Sequence, residues 1–221
     1  MPRKIYKLCV SYDEAGADVR GQVAEKVQGI SERVWQASFR RMEAAELPPA
    51  DGVVWVYPVF MQSGVTVTET LPELLRSLYA ERGQVPEFVF KPVWGAERGA
   101  DLGTVEVLRK ELEGDASLLL VAHGVTGREL PPEPSRYLQR LGFMLPEGID
   151  MALAYFGASP SVEEVLPALK GSKVVVLPFL IGEGKHMRED MPSPELVAQY
   201  GKTLKVLPPF GALYLQAEQE Y

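Results

Sequence analysis

The sequence predicts an α/β protein of two similar halves, each a four-stranded parallel sheet flanked by helices. Three observations predict it. Short apolar runs alternate with helix-like segments along the chain. A set of landmarks occurs twice at near-constant offset. The composition, 46% hydrophobic and 24% charged over 221 residues, is that of a globular protein with a real core.

Buried strands are expected near residues 5–11, 53–60, 87–91, 117–122, 152–156, 174–181 and 203–207, with a weaker eighth near 33–37. Helix-like segments fall between them, over Asp18 to Gly29, Thr70 to Arg82, Leu102 to Leu112, Val162 to Leu169 and Pro194 to Tyr200. The proline-rich stretch Pro131-Pro-Glu-Pro-Ser135 reads as a loop.

The halves align. Pro58-Val-Phe-Met-Gln-Ser-Gly64 matches Pro178-Phe-Leu-Ile-Gly-Glu-Gly184, and each continues to a second proline, Pro72 and Pro192, at the same offset of 120. Pro92-Val-Trp-Gly95 matches Pro208-Pro-Phe-Gly211 at an offset of 116, and Leu8-Cys-Val-Ser-Tyr12 matches Leu119-Leu-Val-Ala-His123 more weakly. Chance similarity between strand-then-loop segments is the alternative, but ordered pairs favour internal duplication. The boundary is expected between domains 1–115 and 116–221.

A net charge of −7, from 23 basic and 30 acidic residues, argues against general binding to nucleic acid or an anionic membrane. The single cysteine, Cys9, forms no internal disulfide and excludes cysteine-based metal motifs. No stretch is long and apolar enough to span a bilayer, and the opening residues lack a signal-peptide core, so a cytoplasmic protein is expected.

The chain has two histidines, His123 and His186, and both lie just past strand-like runs of the second half. By the internal alignment they correspond to Tyr12 and Thr66, so the first half has no imidazole at these places. In open parallel sheets, ligands bind beyond the carboxyl ends of the strands. The strand order 2-1-3-4 with right-handed crossovers makes the first and third strands neighbours, about 4.8 Å apart. Both imidazoles then stand at one sheet edge. Gly124 permits a sharp turn after His123, and Gly182 and Gly184 permit a close loop beside His186. Two readings of the pair stand here: one functional site, or two hydrogen-bonded surface histidines.

Rival motifs fit poorly. Gly182-Glu-Gly184-Lys-His-Met187 imitates a dinucleotide fingerprint but has methionine for the third glycine. Neither a phosphate-binding loop nor a nucleophile elbow is present. Ala122-His-Gly124 has alanine where histidine phosphatases need arginine.

Leu120-Val-Ala-His-Gly124 and Val176-Leu-Pro-Phe-Leu-Ile-Gly-Glu-Gly-Lys-His-Met-Arg-Glu-Asp-Met-Pro192 resemble the class II tetrapyrrole metal chelatases, in particular the sirohydrochlorin cobaltochelatases and ferrochelatases. The resemblance implies two chelatase-like α/β domains, the second carrying the histidine pair, around a cleft for a macrocycle. It implies a lyase-class enzyme that inserts Co²⁺ into a sirohydrochlorin-type tetrapyrrole for cobalamin synthesis. Fe²⁺ insertion for sirohaem, or non-catalytic binding of tetrapyrrole or metal, are the alternatives. Ni²⁺ is a further possible ion, and no organic cofactor is implied. His123 and His186 inherit the roles of metal ligands and proton acceptors. Two departures stand out. Many relatives carry a glutamate near the end of the second strand of the active half, whereas Ala154-Tyr-Phe-Gly-Ala-Ser-Pro160 has no acid. Many two-domain relatives also keep the histidines in the first half.

The chemistry suits these residue types. Neutral imidazole is a good ligand for cobalt, nickel, iron and zinc, and its reference pKa of about 6.5 suits general-base work. Two imidazoles hold an ion loosely enough to release it, which fits transfer better than storage. Asp190 lies four residues beyond His186 and can orient the ring if the segment is helical; Glu189, Asp190 and Pro192 also suit the start of the next helix. A polycarboxylate substrate needs local cations, and Arg128, Lys185 and Arg188 are candidates, each of which can equally be a solvated surface charge. Tyr12 and Thr66 are candidates for shaping the cleft, and Phe60, Met61, Trp94, Phe179 and Phe210 for apolar walls or core. No nucleic-acid or membrane partner is expected, and the chain is read as a monomer or homodimer.

Overall fold

The computed structural model describes residues 3–13, 16–28, 33–97, 102–125 and 127–219. The chain divides into two compact units, Met1–Glu97 and Arg98–Tyr221. In the first unit, strands β1 (Ile5–Ser11), β2 (Val34–Ser38), β3 (Val53–Val59) and β4 (Glu87–Phe90) pair in the order β2-β1-β3-β4, all parallel. Helices α1 (Ala17–Gln28), α2 (Leu71–Glu81) and the short α3 (Trp94–Glu97) accompany them. The second unit repeats the plan. Strands β5 (Ala116–His123), β6 (Asp150–Phe156), β7 (Lys173–Pro178) and β8 (Thr203–Val206) pair in the order β6-β5-β7-β8, again all parallel. Its helices are α4 (Leu102–Glu111), α5 (Glu133–Met144), α6 (Val162–Val165), α7 (Lys185–Glu189), α8 (Pro194–Ala198) and α9 (Phe210–Gln219).

The central strands are apolar on both faces because helices cover both. Leu118 to Ala122 are fully buried, as are Val174 to Leu177. Such continuous runs belong to parallel sheets, and each buried leucine or valine contributes about 1.5–3 kcal/mol. On one face of the second sheet, Leu119, Val121, Ala154, Val174 and Val176 pack with Val162, Leu166 and Val197 from the α6 and α8 side. Elsewhere in the unit, Tyr137 of α5 packs its ring 5.2 Å from Phe179 and 4.9 Å from Phe210. Local signals start the short helices. Ser161 and Glu164 form a reciprocal capping box before α6, and Ser193 accepts the Leu196 N–H before Pro194 opens α8.

The duplication is visible in register. Val10 pairs with Pro58 across β1 and β3, and Val121 pairs with Pro178 across β5 and β7. Tyr12 and His123 therefore stand two residues past equivalent valines, as the sequence alignment expects. The glycine landmarks repeat a packing contact as well. Gly95 N–H donates to the Phe60 carbonyl (3.1 Å), and Gly211 N–H donates to the Leu180 carbonyl (3.0 Å). A β-carbon on either glycine would fall 2.0 Å from the Met61 carbonyl oxygen or 1.8 Å from that of Ile181.

Several expectations change. Pro131 to Ser135 is not all loop: α5 begins at Glu133, because proline is tolerated in a first helical turn where its missing N–H costs nothing. The run 174–181 ends as a strand at Pro178, and the weak run near 33–37 is a true strand. Gly29, the expected end of the first helix, lies outside the described residues. Helix α9 was not read from sequence. Helix α4 packs against α9 and so goes with the second unit, although it precedes the boundary expected after residue 115. Among the described residues no helix is long and apolar enough to cross a membrane.

The shared contact predicts that Gly211→Ala destabilises the protein by about 1–3 kcal/mol in chemical denaturation. Gly64→Ala, where an added β-carbon meets nothing within 4 Å, serves as the control and should leave the midpoint nearly unchanged.

Candidate functional site

The carboxyl end of the second sheet brings the two histidines together. His123 is the last residue of β5, and its register partner on β6 is Phe156. Side chains alternate along a strand, so Leu119, Val121 and His123 share a face with Ala152, Ala154 and Phe156. His186 reaches the same place from α7, after β7 ends at Pro178 and the chain passes Gly182 and Gly184.

His123 Nε2 lies 2.7 Å from His186 Nε2, and the rings meet edge to face with centroids 4.3 Å apart. The other nitrogen of each ring has its own acceptor. His186 Nδ1 is 2.5 Å from Asp190 Oδ2, four residues on in the same turn, and His123 Nδ1 is 3.2 Å from the Gly124 carbonyl. In the tautomers protonated on Nδ1, both rings donate to these acceptors and present Nε2. Two bare Nε2 lone pairs then point at each other across hydrogen-bond distance. That arrangement is repulsive unless a proton or a cation sits between them.

Close packing fixes His123. Gly124 N–H donates to the Phe156 carbonyl (2.9 Å), and a β-carbon at Gly124 would lie 2.5 Å from that oxygen and 2.5 Å from the Ala158 β-carbon. Gly124 is absent from the residues with positive φ, so close approach, rather than a left-handed turn, makes glycine necessary there. Phe156 stacks on the His186 ring with centroids 5.6 Å apart and planes at 13°. Sequence reading missed this contact, because an aromatic residue ending a strand reads as core; the strand register would have revealed it.

The remaining expected residues separate into groups. Lys185 pairs with Glu189 at 3.5 Å, an exposed pair that adds little stability. Arg188 donates to the Glu183 carbonyl at 3.4 Å. Lys185 and Arg188 thus flank His186 on α7, and Arg128 is exposed in the segment after β5. Tyr12 and Thr66 lie in the first unit at the places equivalent to the histidines. There Tyr12 stacks on Phe39 (5.8 Å) and receives a hydrogen bond from Arg40 (3.0 Å). Phe60 packs edge-on to Tyr12, whereas Met61, Trp94, Phe179 and Phe210 are buried core. Among the described residues no group of three or more His, Cys, Asp or Glu side chains is arranged to hold a metal ion, so the pair offers two nitrogen ligands and no cage.

The His123 pKa lies below the usual histidine value of 6.5. Partial burial of the imidazole is the main cause, and the Gly124 carbonyl, which raises the pKa, does not offset it. Burial disfavours the charged form, so at a given pH a larger share of His123 is neutral and able to bind metal than of a free imidazole. In a proton NMR titration of the metal-free protein, the His123 ring resonance should show a midpoint below about 6.5. A midpoint above that value would contradict burial as the dominant influence.

Residues 117–215 match the family described as CbiX. No curated protein matches the sequence. Solved structures share the fold. CbiX, described as the terminal enzyme for biosynthesis of siroheme in denitrifying bacteria, is 20% identical, with a TM-score of 0.58 over 97% of this chain and 98% of that one. SirB from Bacillus subtilis with Fe³⁺ is 16% identical, with a TM-score of 0.60 over 98% and 95%. The sirohydrochlorin chelatase SirB from Bacillus subtilis subspecies spizizenii in complex with cobalt is 15% identical, with a TM-score of 0.59 over 98% and 93%. The matched residues, 117–215, hold both histidines, and the match agrees with the resemblance to the class II chelatases.

Proposed function

We propose that this protein is a sirohydrochlorin-type chelatase that inserts Co²⁺ into the macrocycle. The observation that carries the reading is the convergence of two imidazole Nε2 atoms with both Nδ1 atoms committed to acceptors. Metal–nitrogen bonds are about 2.0–2.1 Å long, so adjacent ligand nitrogens stand about 3 Å apart. The pair needs to open by only a few tenths of an ångström to hold an ion. The Asp190 carboxylate keeps His186 in the tautomer that presents Nε2.

The proton inventory supports the same reading. Metal insertion removes two N–H protons from the macrocycle. Each imidazole has one available nitrogen, which serves either the ion or a proton. Passing the ion to the pyrrole nitrogens leaves two Nε2 lone pairs for the two protons. No acid stands in Ala154 to Pro160, so this chemistry falls to the imidazoles. Arg128, Lys185 and Arg188 are candidates for gripping substrate carboxylates.

A second reading, Fe²⁺ insertion, is supported by the relative described as making siroheme and by SirB with Fe³⁺. Imidazole accepts both ions. Purified protein mixed with sirohydrochlorin and Co²⁺, Fe²⁺ or Ni²⁺, followed by absorbance, separates the readings: the fastest turnover is expected with Co²⁺. Stoichiometric binding without turnover would show a binding protein instead. The His123→Ala, His186→Ala double variant should lose insertion, and wild-type rates in it would sink the assignment. Asp190→Asn should weaken Co²⁺ binding about 10- to 100-fold, measured by calorimetry.

A further inference from the structure

Resting on the chelatase reading, we infer that Phe156 is a positioning residue for the imidazole pair. One residue here touches both histidine-bearing segments. Its carbonyl accepts the Gly124 N–H at 2.9 Å and so anchors the turn that follows His123. Its ring lies against the His186 imidazole with planes at 13°. Pairing of β6 with β5 makes Phe156 the register partner of His123, so both side chains leave the same face of the sheet.

The geometry requires such a contact. The hydrogen bond to Asp190 fixes one nitrogen of His186 but leaves the ring free to swing about the Nδ1···O axis. A flat partner removes that freedom. With the plane set by Phe156, the Nε2 lone pair of His186 is aimed at His123 Nε2, and the two rings cross at 89°. Phe156 is itself backed by the core of Ala154, Val162 and Leu166, which makes it a stiff support. Ordinary core packing alone would need only apolar volume at this position, whereas positioning needs a flat ring.

Phe156→Leu keeps apolar volume and removes the ring; Phe156→Tyr keeps the ring. The chain has two histidines, so the imidazole resonances of the metal-free protein are easily resolved. In wild type and Phe156→Tyr, the His186 ring protons should be shifted upfield by the stacked ring, and in Phe156→Leu that shift should vanish. Titration with Co²⁺ alone should show about a 10-fold weaker Kd for Phe156→Leu, with Phe156→Tyr close to wild type. The KM for sirohydrochlorin and the melting temperature should stay unchanged in both variants. Wild-type ring shifts and Co²⁺ affinity in Phe156→Leu would overturn the positioning role while leaving the chelatase reading intact. Wild-type protein that shows the ring shift but binds no Co²⁺ would overturn the chelatase reading, and with it the role of Phe156 at a metal site.

Discussion

The parallel pairing of β5 between β6 and β7 is the constraint on which the candidate site depends. Val121 faces Ala154 on one side and Pro178 on the other, and this register places His123 beside Phe156. A slip of one residue would turn His123 to the opposite face of the sheet and take it from His186. The register resists slipping because Leu118 to Ala122 are fully buried and both faces are apolar. Polar anchors lock the other end of the strand. Buried Ser117 donates to Asp150 at the start of β6 (2.9 Å) and accepts the Gly171 N–H just before β7 (2.8 Å). An unpaired buried hydroxyl is costly, so these bonds penalise any other alignment.

Much of this architecture was legible in the sequence because buried parallel strands leave uninterrupted apolar runs. The strand order 2-1-3-4, expected for such a sheet, makes the two histidine-bearing segments neighbours. What escaped has physical reasons. Helix α5 was hidden by prolines that look like a loop yet suit a first turn. Asp190 was readable from a spacing of four, because α7 is helical over Lys185–Glu189. Phe156 was not, since its contact with His186 depends on three strands and a loop closing at once. The basic residues were legible only as candidates, because charge in a sequence does not say whether a ligand or water meets it.

The two halves show how little the scaffold dictates chemistry. At the end of β1, Tyr12 stacks on Phe39, with Arg40 lying over its ring at 4.8 Å. At the end of β5, the equivalent position is His123, and Phe156 turns its ring to His186 instead. Both arrangements use an aromatic residue at the end of the neighbouring strand as a flat support. Tyr12 and His123 are themselves exposed at these strand ends, so exchanging tyrosine for histidine there leaves the sheet untouched. Of the landmarks kept in both halves, Pro58 with Pro178 and Gly95 with Gly211 meet backbone at close range, whereas Gly64 does not.

The opposed lone pairs tie this geometry to the proposed reaction. A pair with both Nδ1 protons engaged is unfavourable when empty and neutral, since its Nε2 atoms repel. It gains from a cation or from protons, and it cannot hold a full complement of both. Loading with metal therefore displaces any proton at the pair, and the departing metal restores two bases beside a macrocycle that must lose two protons. A tighter site with a third protein ligand would hold the ion more firmly and slow its release. On this reading, the two-nitrogen site trades binding strength for the ability to exchange an ion for protons.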